Sequence, residues 1–265
     1  MIGMAIDASF STLLVTESED RIHVQLNRPG VKNAIDAQMI QEIHLICAHL
    51  EEHPKILLIS GASPQEGSGG RGIFASGADI SQLRQRRRDD ALRGINAGAF
   101  ERIAKLPMPV IAAIDGYALG GGAELAWAAD FRIGTPQVKI GQPETGLGII
   151  PAAGALWRLK ELTGEALAKE ILLAGRILTA QEALEHGLVT SLHPPEELID
   201  AAHALADRIA VQDPLAVRIT KQLFDMPRDA HPQVDSLAQA ILFESEAKFE
   251  RMQAFIDRKK GGQRS

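Results

Sequence analysis

The sequence predicts an α/β fold whose first part combines strands and helices and whose last part is almost entirely helical. Short apolar runs typical of strands alternate with helical patterns up to about residue 150, in units of two strands and a helix. From about residue 152 amphipathic helical patterns dominate. The chain has 265 residues, enough to bury a full core in one large domain or in one domain with a helical appendage.

The chain is predicted to begin with a β-hairpin and a helix. The runs TLLVTE and RIHVQL flank a polar turn at residues 18–20, and the second run alternates apolar and polar residues as a half-buried strand does. A helix is predicted to follow Asp36, because apolar residues recur on one stripe, and Pro54 is predicted to end it.

Two further strand-to-helix units are predicted to follow. The apolar run KILLIS predicts a strand, and the glycine- and serine-rich stretch 61–72 predicts a loop after it. FASGADI then leads into the charged stretch SQLRQRRRDDALRG, for which we predict one helix. The later strands are predicted at PVIAAIDG, which precedes three glycines and another helix, and at FRIGT and VKIGQPE.

Helical signals dominate the rest of the chain. Thr179 and Glu182 form a predicted capping box, and Gly187 is a predicted helix stop. Long amphipathic stretches run from Glu196 to the end, with apolar stripes such as LAQAILF. These stripes exceed what a small cap would bury, which predicts self-association.

Composition and charge are those of an ordinary globular protein. The chain is 45% hydrophobic and 23% charged, with a formal net charge of −6, which argues against nucleic acid or an anionic membrane as partner. The first residues, MIGMAIDASF, lack the pattern of a signal peptide, and no apolar run approaches the ~20 residues of a membrane span. The single cysteine, Cys47, excludes an intrachain disulfide and favours core packing and a cytoplasmic location.

The segment ALGGGAELAWAAD combines two features that normally destabilise a fold, a run of glycines and a carboxylate among apolar residues. Glycine inside a helix costs about 1 kcal/mol relative to alanine, and three glycines stand at 120–122. Glu124 follows them among apolar residues, where a carboxylate is unfavourable unless it is paired or neutralised. A tight turn explains the glycines equally well, but they also let a ligand approach the unpartnered N–H groups of a helix start.

The chain repeats this construction at FASGADI, where Gly77 precedes Ala78 and Asp79. Asp79 is also a candidate helix N-cap. Two such turns would present two N–H groups to one oxygen, which is an oxyanion hole. Glu144 is either a solvated loop residue or a second carboxyl at the same site. Two carboxyls near one reacting centre take opposite roles when their surroundings separate their pKa values.

Three segments in this order, FASGADI, VIAAIDGYALGGGAELAWAAD and IGQPETGLGIIPAAG, resemble the crotonase (enoyl-CoA hydratase/isomerase) superfamily. LNRPGVKNAID and GRILTAQEALEHGLV are similar to further segments of that family, and the resemblance covers about residues 10–260. It implies a spiral of ββα units over residues 1–195, with the CoA site and the active site. It also implies a C-terminal helical region over 196–265 that builds trimers, commonly paired into hexamers.

The resemblance also implies roles for the residues at the matching positions. The backbone N–H groups of Ala78 and Gly121 would hold a thioester oxygen, Glu124 would activate a water molecule, and a protonated Glu144 would supply a proton. The residues that the resemblance places beside the substrate or CoA are Val31, Ser76, Gly77, Asp79, Ile80, Gly120, Pro143 and Arg258.

The presence of both glutamates favours hydration of a 2-enoyl-CoA to a 3-hydroxyacyl-CoA within this family. Such a reaction needs neither a metal nor a redox cofactor, and CoA is the carrier of the substrate. The sibling reactions of the family stay open: isomerisation, decarboxylation, dehalogenation and thioester hydrolysis. The sequence departs from the common family pattern at Trp157, which is expected to add bulk near the acyl pocket, and at Ser76, where alanine is frequent.

Two motifs suggest other classes of protein. HLEEH, residues 49–53, matches a zinc metalloprotease pattern, but no third ligand is evident. RQRRRDD suggests a nucleic-acid-binding helix, whereas the acids that follow the arginines and the negative net charge favour a solvated helix face. The resemblance allows a third role, in which an arginine there or a basic residue at 258–260 contacts the phosphates of CoA.

Overall fold

Strands of two β-sheets alternate along the chain in the computed structural model, which describes residues 9–62 and 72–262. The strands are β1 (Leu13–Glu17), β2 (Arg21–Leu26), β3 (Ile56–Gly61), β4 (Ile73–Ala75), β5 (Val110–Ile114), β6 (Tyr117–Leu119), β7 (Phe131–Gly134), β8 (Lys139–Gly141) and β9 (Ile177–Thr179). The helices are α1 (Ala37–Glu52), α2 (Ile80–Gln85), α3 (Arg88–Leu92), α4 (Ile95–Ala104), α5 (Gly121–Trp127), α6 (Ala155–Thr163), α7 (Glu165–Ala174), α8 (Ala180–Glu185), α9 (Leu198–Ala210), α10 (Pro214–Phe224), α11 (Gln233–Phe243) and α12 (Glu246–Gly262). Most of the N-terminal segment MIGMAIDASF and most of the predicted loop 61–72 lie outside the described residues.

The chain enters the two sheets in turn. The first sheet has the strand order β1-β2-β3-β5-β7, and the second has the order β4-β6-β8-β9. All neighbouring strands are parallel except β1–β2 and β8–β9, which are antiparallel. The pairs β3–β4, β5–β6 and β7–β8 each place their first strand in the first sheet and their second strand in the second sheet. A helical segment follows each pair. This arrangement confirms the predicted spiral of ββα units.

The early elements follow their local sequence signals. The predicted hairpin forms between β1 and β2. Helix α1 begins after Asp36, whose carboxylate accepts the N–H of Met39 at 2.8 Å, and it ends at Glu52, just before Pro54. Thr179 and Glu182 form the predicted capping box of α8.

The core contains strands that are buried on both faces. All residues of β5, and Ile56–Ile59 of β3, are buried, and such strands appear in a sequence as continuous apolar runs. Helix α1 packs on this core, with Cys47 fully buried. This burial confirms the prediction that Cys47 is a core residue, and it raises the pKa of the thiol to about 12.

The prediction of one helix over SQLRQRRRDDALRG is wrong. The segment forms two short helices, α2 and α3, because the backbone is extended at Arg86 and Arg87. Asp79 caps α2, and the carboxylate of Asp90 accepts the N–H of Arg87 at 2.8 Å, which starts a new helix. Two local caps therefore override the helical pattern of the charged stretch.

The chain separates into two compact units, Met1–Arg208 and Ile209–Ser265; the boundary predicted between 195 and 196 lies before α9. In the second unit α10 contacts α11, and Arg251 donates to the carbonyl of Val211 at 2.9 Å. None of the described helices is long and apolar enough to cross a membrane. Many large apolar side chains of the second unit are exposed, namely Phe224, Leu237, Ile241, Phe243, Phe249, Met252, Phe255 and Ile256.

Glu42 fastens the segment before β1 to α1. Its side chain is buried and accepts the N–H groups of Ser11 and Thr12 at 2.7 and 2.9 Å, and also both of their hydroxyls. Burial alone raises the pKa of Glu42, but the hydrogen bonds from Thr12, Gln38 and Ser11 together lower it to about 2. The ionised carboxylate therefore stabilises the fold.

Replacement of Glu42 by glutamine should destabilise the fold by about 1–3 kcal/mol at neutral pH, because an amide NH2 group then faces buried donors. The wild-type contribution is present above the ordinary carboxyl pKa of about 4.3 and is lost as the pH falls from there towards 2, so the deficit of Glu42→Gln should shrink over that window. Urea unfolding of the wild type, Glu42→Gln and the exposed control Glu52→Gln measures this. Equal stability of Glu42→Gln and the wild type at neutral pH would contradict it.

Candidate active site

The candidate site lies at one edge of the second sheet. Strands β4, β6 and β8 are adjacent and parallel, so the chain leaves all three at the same edge. The turns after them carry Ala78, Gly121 and Glu144 in that order. Parallel sheets commonly bind ligands at the carboxyl ends of their strands, and here the two glycine turns and one of the glutamates meet there.

The turn after β4 leaves one backbone amide without a partner. Ile35 donates its N–H to the carbonyl of Gly77 at 2.8 Å and accepts the N–H of Asp79 at 2.9 Å. The N–H of Ala78 lies between these two bonds and donates to no acceptor among the described residues. It is therefore available to a ligand.

The turn after β6 leaves a second amide in the same state. Gly121 begins α5, and the first N–H groups of a helix have no partner within it. Its N–H also has no acceptor in the part of the chain that the structure describes. A β carbon placed on Gly121 would lie 3.4 Å from the nitrogen of Ala78. The two amides thus lie together, as an oxyanion hole requires.

Each glycine of the triplet has its own structural reason. Gly120 has a φ of +53°, which L side chains rarely adopt, and a β carbon there would lie 2.5 Å from Oε1 of Glu144. A β carbon on Gly122 would overlap the carbonyl oxygen of Ala75, so this glycine lets α5 approach β4. At Gly121 the neighbouring atoms stay at ordinary contact distances. Packing therefore explains the glycines at 120 and 122, and it does not explain the one at 121.

Glu124 is buried beneath the segment that leads into α6. Its side chain is 4% exposed, and its Oε1 accepts the N–H groups of Ala153 and Ala155 at 2.7 and 3.1 Å. The pKa of Glu124 is raised, because the effect of burial exceeds the opposing effects of the two amides and of the charge of Arg158. Hydrogen bonds from N–H groups favour the ionised carboxylate.

Glu144 lines the same cavity as Glu124, but fewer hydrogen bonds hold its carboxyl group. It begins a 3-10 turn, Glu144–Leu147, its side chain is 8% exposed, and its buried Oε2 has no hydrogen-bond partner among the described residues. Burial raises the pKa of Glu144 to about 7, and the charge of Glu124 adds to the rise. The two carboxyls therefore occupy different environments, and that of Glu144 favours the protonated form.

Arg158 supports the two amides that hold Glu124. Its guanidinium lies against Gly154, where a β carbon would overlap Nη1, and its Nη2 donates to Glu101 at 2.7 Å. Gly154 stands between Ala153 and Ala155. Arg158 thus packs on the segment that holds the Glu124 carboxylate and places a positive charge near it.

The two amides and the two glutamates line one cavity of about 790 Å³ within the first unit. Val31 does not line it and is exposed at the end of a 3-10 turn, and the carboxylate of Asp79 is used as the cap of α2. Arg258 belongs to the second unit, where its Nε donates to the carbonyl of Ala254; the side chain of Lys260 lies outside the described residues. The other predicted contact residues line the cavity: Ser76, Gly77, Ile80, Gly120 and Pro143.

The cavity also contains residues that the sequence did not single out. Asn96, near the start of α4, lines it, and its Oδ1 accepts Nη1 of Arg86 at 3.1 Å. No sequence motif identifies Asn96 as a site residue. Its contact with Arg86 depends on the break between α2 and α3, which the sequence pattern did not predict. Trp157 is absent from the described wall and is 44% exposed. Leu147, Ile149 and Ile150 form part of the apolar wall.

The HLEEH motif is used for local contacts. His49 lies 3.1 Å from a carboxylate oxygen of Glu17, and its ring packs edge-on against His53. Within the described ranges no group of three histidine, cysteine, aspartate or glutamate side chains could hold a metal ion.

The chain is similar to several known proteins over most of its length. The family model described as enoyl-CoA hydratase/isomerase matches residues 17–263. The chain is 34% identical to a short-chain-enoyl-CoA hydratase of Clostridium acetobutylicum, over 93% of this chain and 95% of that protein. It is 33% identical to a crotonyl-CoA hydratase of Syntrophomonas wolfei, over 93% and 96%. The crystal structure of an enoyl-CoA hydratase from Bacillus anthracis superposes with a TM-score of 0.86 at 31% identity, covering 94% of this chain and 97% of that one.

The two neighbouring glycines should respond differently to alanine. Gly122→Ala should lose about 1–3 kcal/mol of stability, because its β carbon is forced against the backbone of β4. Gly121→Ala should unfold at the wild-type temperature, since its β carbon meets only ordinary contacts. Thermal unfolding followed by circular dichroism compares the two variants. Equal losses would show that Gly121 is a packing residue and would contradict its placement at an open ligand site.

Proposed function

The chain belongs to the enoyl-CoA hydratase/isomerase family, and we propose that it is an enoyl-CoA hydratase, which adds water across the C2–C3 double bond of a 2-enoyl-CoA. The observation that carries the proposal is the contrast between two buried carboxyls. Two backbone amides hold Oε1 of Glu124, whereas Oε2 of Glu144 has no partner among the described residues. Hydration needs a base and an acid at one centre, and this pair provides both near neutral pH.

The thioester oxygen is proposed to accept the N–H groups of Ala78 and Gly121. These two donors withdraw electron density from the conjugated double bond, which makes C3 electrophilic. They also stabilise the negative charge that develops on the oxygen during addition, and one such donor typically contributes about 10²–10³ in rate.

Glu124 is proposed to act as the base. Its Oε1 is occupied by the N–H groups of Ala153 and Ala155, which favour the ionised carboxylate and leave Oε2 for a water molecule. The water oxygen forms a bond to C3, and Glu124 takes the proton that the water releases.

Glu144 is proposed to act as the acid. Burial raises its pKa to about 7, so a large fraction of the groups hold a proton at neutral pH, and that proton passes to C2 as the enolate collapses. After one turnover the two carboxyls have exchanged protonation states, and proton exchange with solvent restores them. The reaction is redox-neutral, and no metal or redox cofactor takes part in these steps.

Glu124→Gln and Glu144→Gln should each lose several orders of magnitude in crotonyl-CoA hydration while still binding acyl-CoA. The amides that bind the thioester remain in both variants, but either the base or the acid is missing. The losses should not add in the double variant, because the two groups act as a unit. Stopped-flow absorbance measures hydration, and full activity in either single variant would contradict the proposal.

Deuterium exchange at C2 of a saturated acyl-CoA separates the two roles. This exchange requires the C2 acid–base group and no attacking water. Glu124→Gln should therefore retain more exchange than Glu144→Gln, as measured by mass spectrometry. The reverse order would exchange the assignments of acid and base.

The pH dependence of kcat/KM should be bell-shaped. Because Glu144 acts when protonated and its pKa is about 7, activity should fall about tenfold per pH unit above that value. Activity should also fall at low pH, where Glu124 becomes protonated. In the wild type the charge of Arg158 lowers the pKa of Glu124. Arg158→Met removes that charge, so the acid limb should move to higher pH. An alkaline limb that is flat, or an acid limb that does not move, would contradict the assignment.

We also propose that the protein assembles as a trimer or a hexamer, and its cytoplasmic location stays a prediction. The exposed apolar side chains of the second unit support assembly, since monomers rarely leave so many such groups in water. Light scattering should give three or six times the chain mass of 28.6 kDa. A monomer at micromolar concentration would contradict this proposal and would leave the catalytic assignment untouched.

A further inference from the structure

Arg86 is a half-buried cation in the cavity wall that the proposed reaction does not use. Its Nη1 donates to Oδ1 of Asn96 at 3.1 Å. It forms no ion pair with any of the residues that the structure describes. The charge of Arg86 acts on Asp90, which lines the same cavity and whose pKa it helps to lower, but the two side chains form no ion pair. The guanidinium, whose usual partners are carboxylates and phosphates, therefore has donors available to an anion that arrives with the ligand.

The neighbouring acidic residues are already occupied. Asp90 accepts the N–H of Arg87 at 2.8 Å and pairs with Arg93, and Asp89 pairs with Arg88 at 2.9 Å. Arg86, Arg87 and Arg88 all line the cavity. Asp90 also lines the cavity, so three arginines accompany one aspartate, and this part of the wall carries excess positive charge in a protein whose net charge is −6.

Asn96 connects Arg86 to the proposed thioester site. A guanidinium only donates hydrogen bonds, so the amide atom that faces Arg86 is the oxygen, and the Nδ2 group lies on the other side. That nitrogen lies 3.7 Å from the β-carbon position of Gly121. One asparagine side chain thus separates Arg86 from the turn that carries an oxyanion-hole amide.

This short separation decides which part of an acyl-CoA Arg86 meets. The phosphates of CoA are separated from the thioester by the whole pantetheine arm. An acyl chain, in contrast, begins at the thioester carbon, and its far end needs to extend only past Asn96 to reach Arg86. The apolar residues Leu147, Ile149 and Ile150 also line the cavity, and they suit the hydrocarbon part of such a chain.

We propose that Arg86 binds a carboxylate at the far end of a short acyl chain, so that the substrate class is a 2-enoyl-CoA that carries a second, terminal carboxylate. This inference rests on the proposed function, because it places the thioester at the amides of Ala78 and Gly121. Arg86 provides the charge and the planar donor set that carboxylates match, and Asn96 holds its orientation.

Binding of two saturated ligands tests the inference without any turnover. Glutaryl-CoA and valeryl-CoA have acyl chains of equal carbon number, and only the first ends in a carboxylate. Arg86→Gln should weaken glutaryl-CoA binding by about 10- to 100-fold and valeryl-CoA binding by less than about threefold. Arg86→Lys should retain part of the glutaryl-CoA affinity, because it keeps the charge and loses the planar fork.

Arg84→Gln is the matched control, because Arg84 stands on α2 two residues earlier, is exposed and does not line the cavity. Calorimetry on the wild type and the three variants should show a selective loss of glutaryl-CoA affinity that is full in Arg86→Gln, partial in Arg86→Lys and absent in Arg84→Gln. Equal weakening of both ligands would show that Arg86 contacts the CoA portion, and unchanged affinities would show that it contacts neither. Either result would overturn the inference.

Hydration of glutaconyl-CoA and 2-pentenoyl-CoA separates this inference from the proposed function. We expect both substrates to be hydrated, with the Arg86→Gln loss confined to glutaconyl-CoA. If neither is hydrated while glutaryl-CoA binding still depends on Arg86, the hydratase assignment fails and the carboxylate site stands. If both are hydrated and Arg86→Gln affects them equally, the carboxylate site fails and the hydratase assignment stands.

Discussion

Two buried carboxyl groups share one cavity, but the backbone amides of the segment before α6 reach only Glu124. This asymmetry is the constraint on which the proposed chemistry depends. A second charge beside an ionised Glu124 is unfavourable in a buried space, and Oε2 of Glu144 has no described donor that would offset it. In the proposed mechanism Glu144 therefore holds the proton, and the pair provides a base and an acid before any substrate binds.

The spiral fold provides this asymmetry through strand order. Because β4, β6 and β8 are parallel neighbours, the Ala78 turn, the Gly121 turn and Glu144 meet at one sheet edge although they are far apart in sequence. Glu124 follows on α5, and the amides of Ala153 and Ala155 come from the chain after the Glu144 turn. Close packing holds these segments in place, as the glycines at 120 and 122 show, where added β carbons meet Glu144 and Ala75.

Much of this arrangement could be predicted from the sequence, because its signals are local. The helix start after Asp36, the capping box at Thr179, the apolar runs of the buried strands and the glycines before the two amides all depend on short-range chemistry. The resemblance to a known family supplied the order in which these pieces assemble. The break at Arg86 and the contact of Arg86 with Asn96 depend on competing caps and on packing across elements, which periodicity does not encode. The exposed position of the Val31 side chain depends on packing across elements in the same way.

The protonation state of Glu144 tests the central claim most directly. Infrared difference spectroscopy detects the C=O stretch of a protonated carboxyl, and variants assign it. The account predicts a carboxyl band in the ligand-free protein that disappears as the pH rises through about 7. The band should be absent from Glu144→Gln. It should persist in Glu124→Gln, because burial is the main cause of the raised pKa of Glu144. A band that is lost in Glu124→Gln and retained in Glu144→Gln would contradict the account.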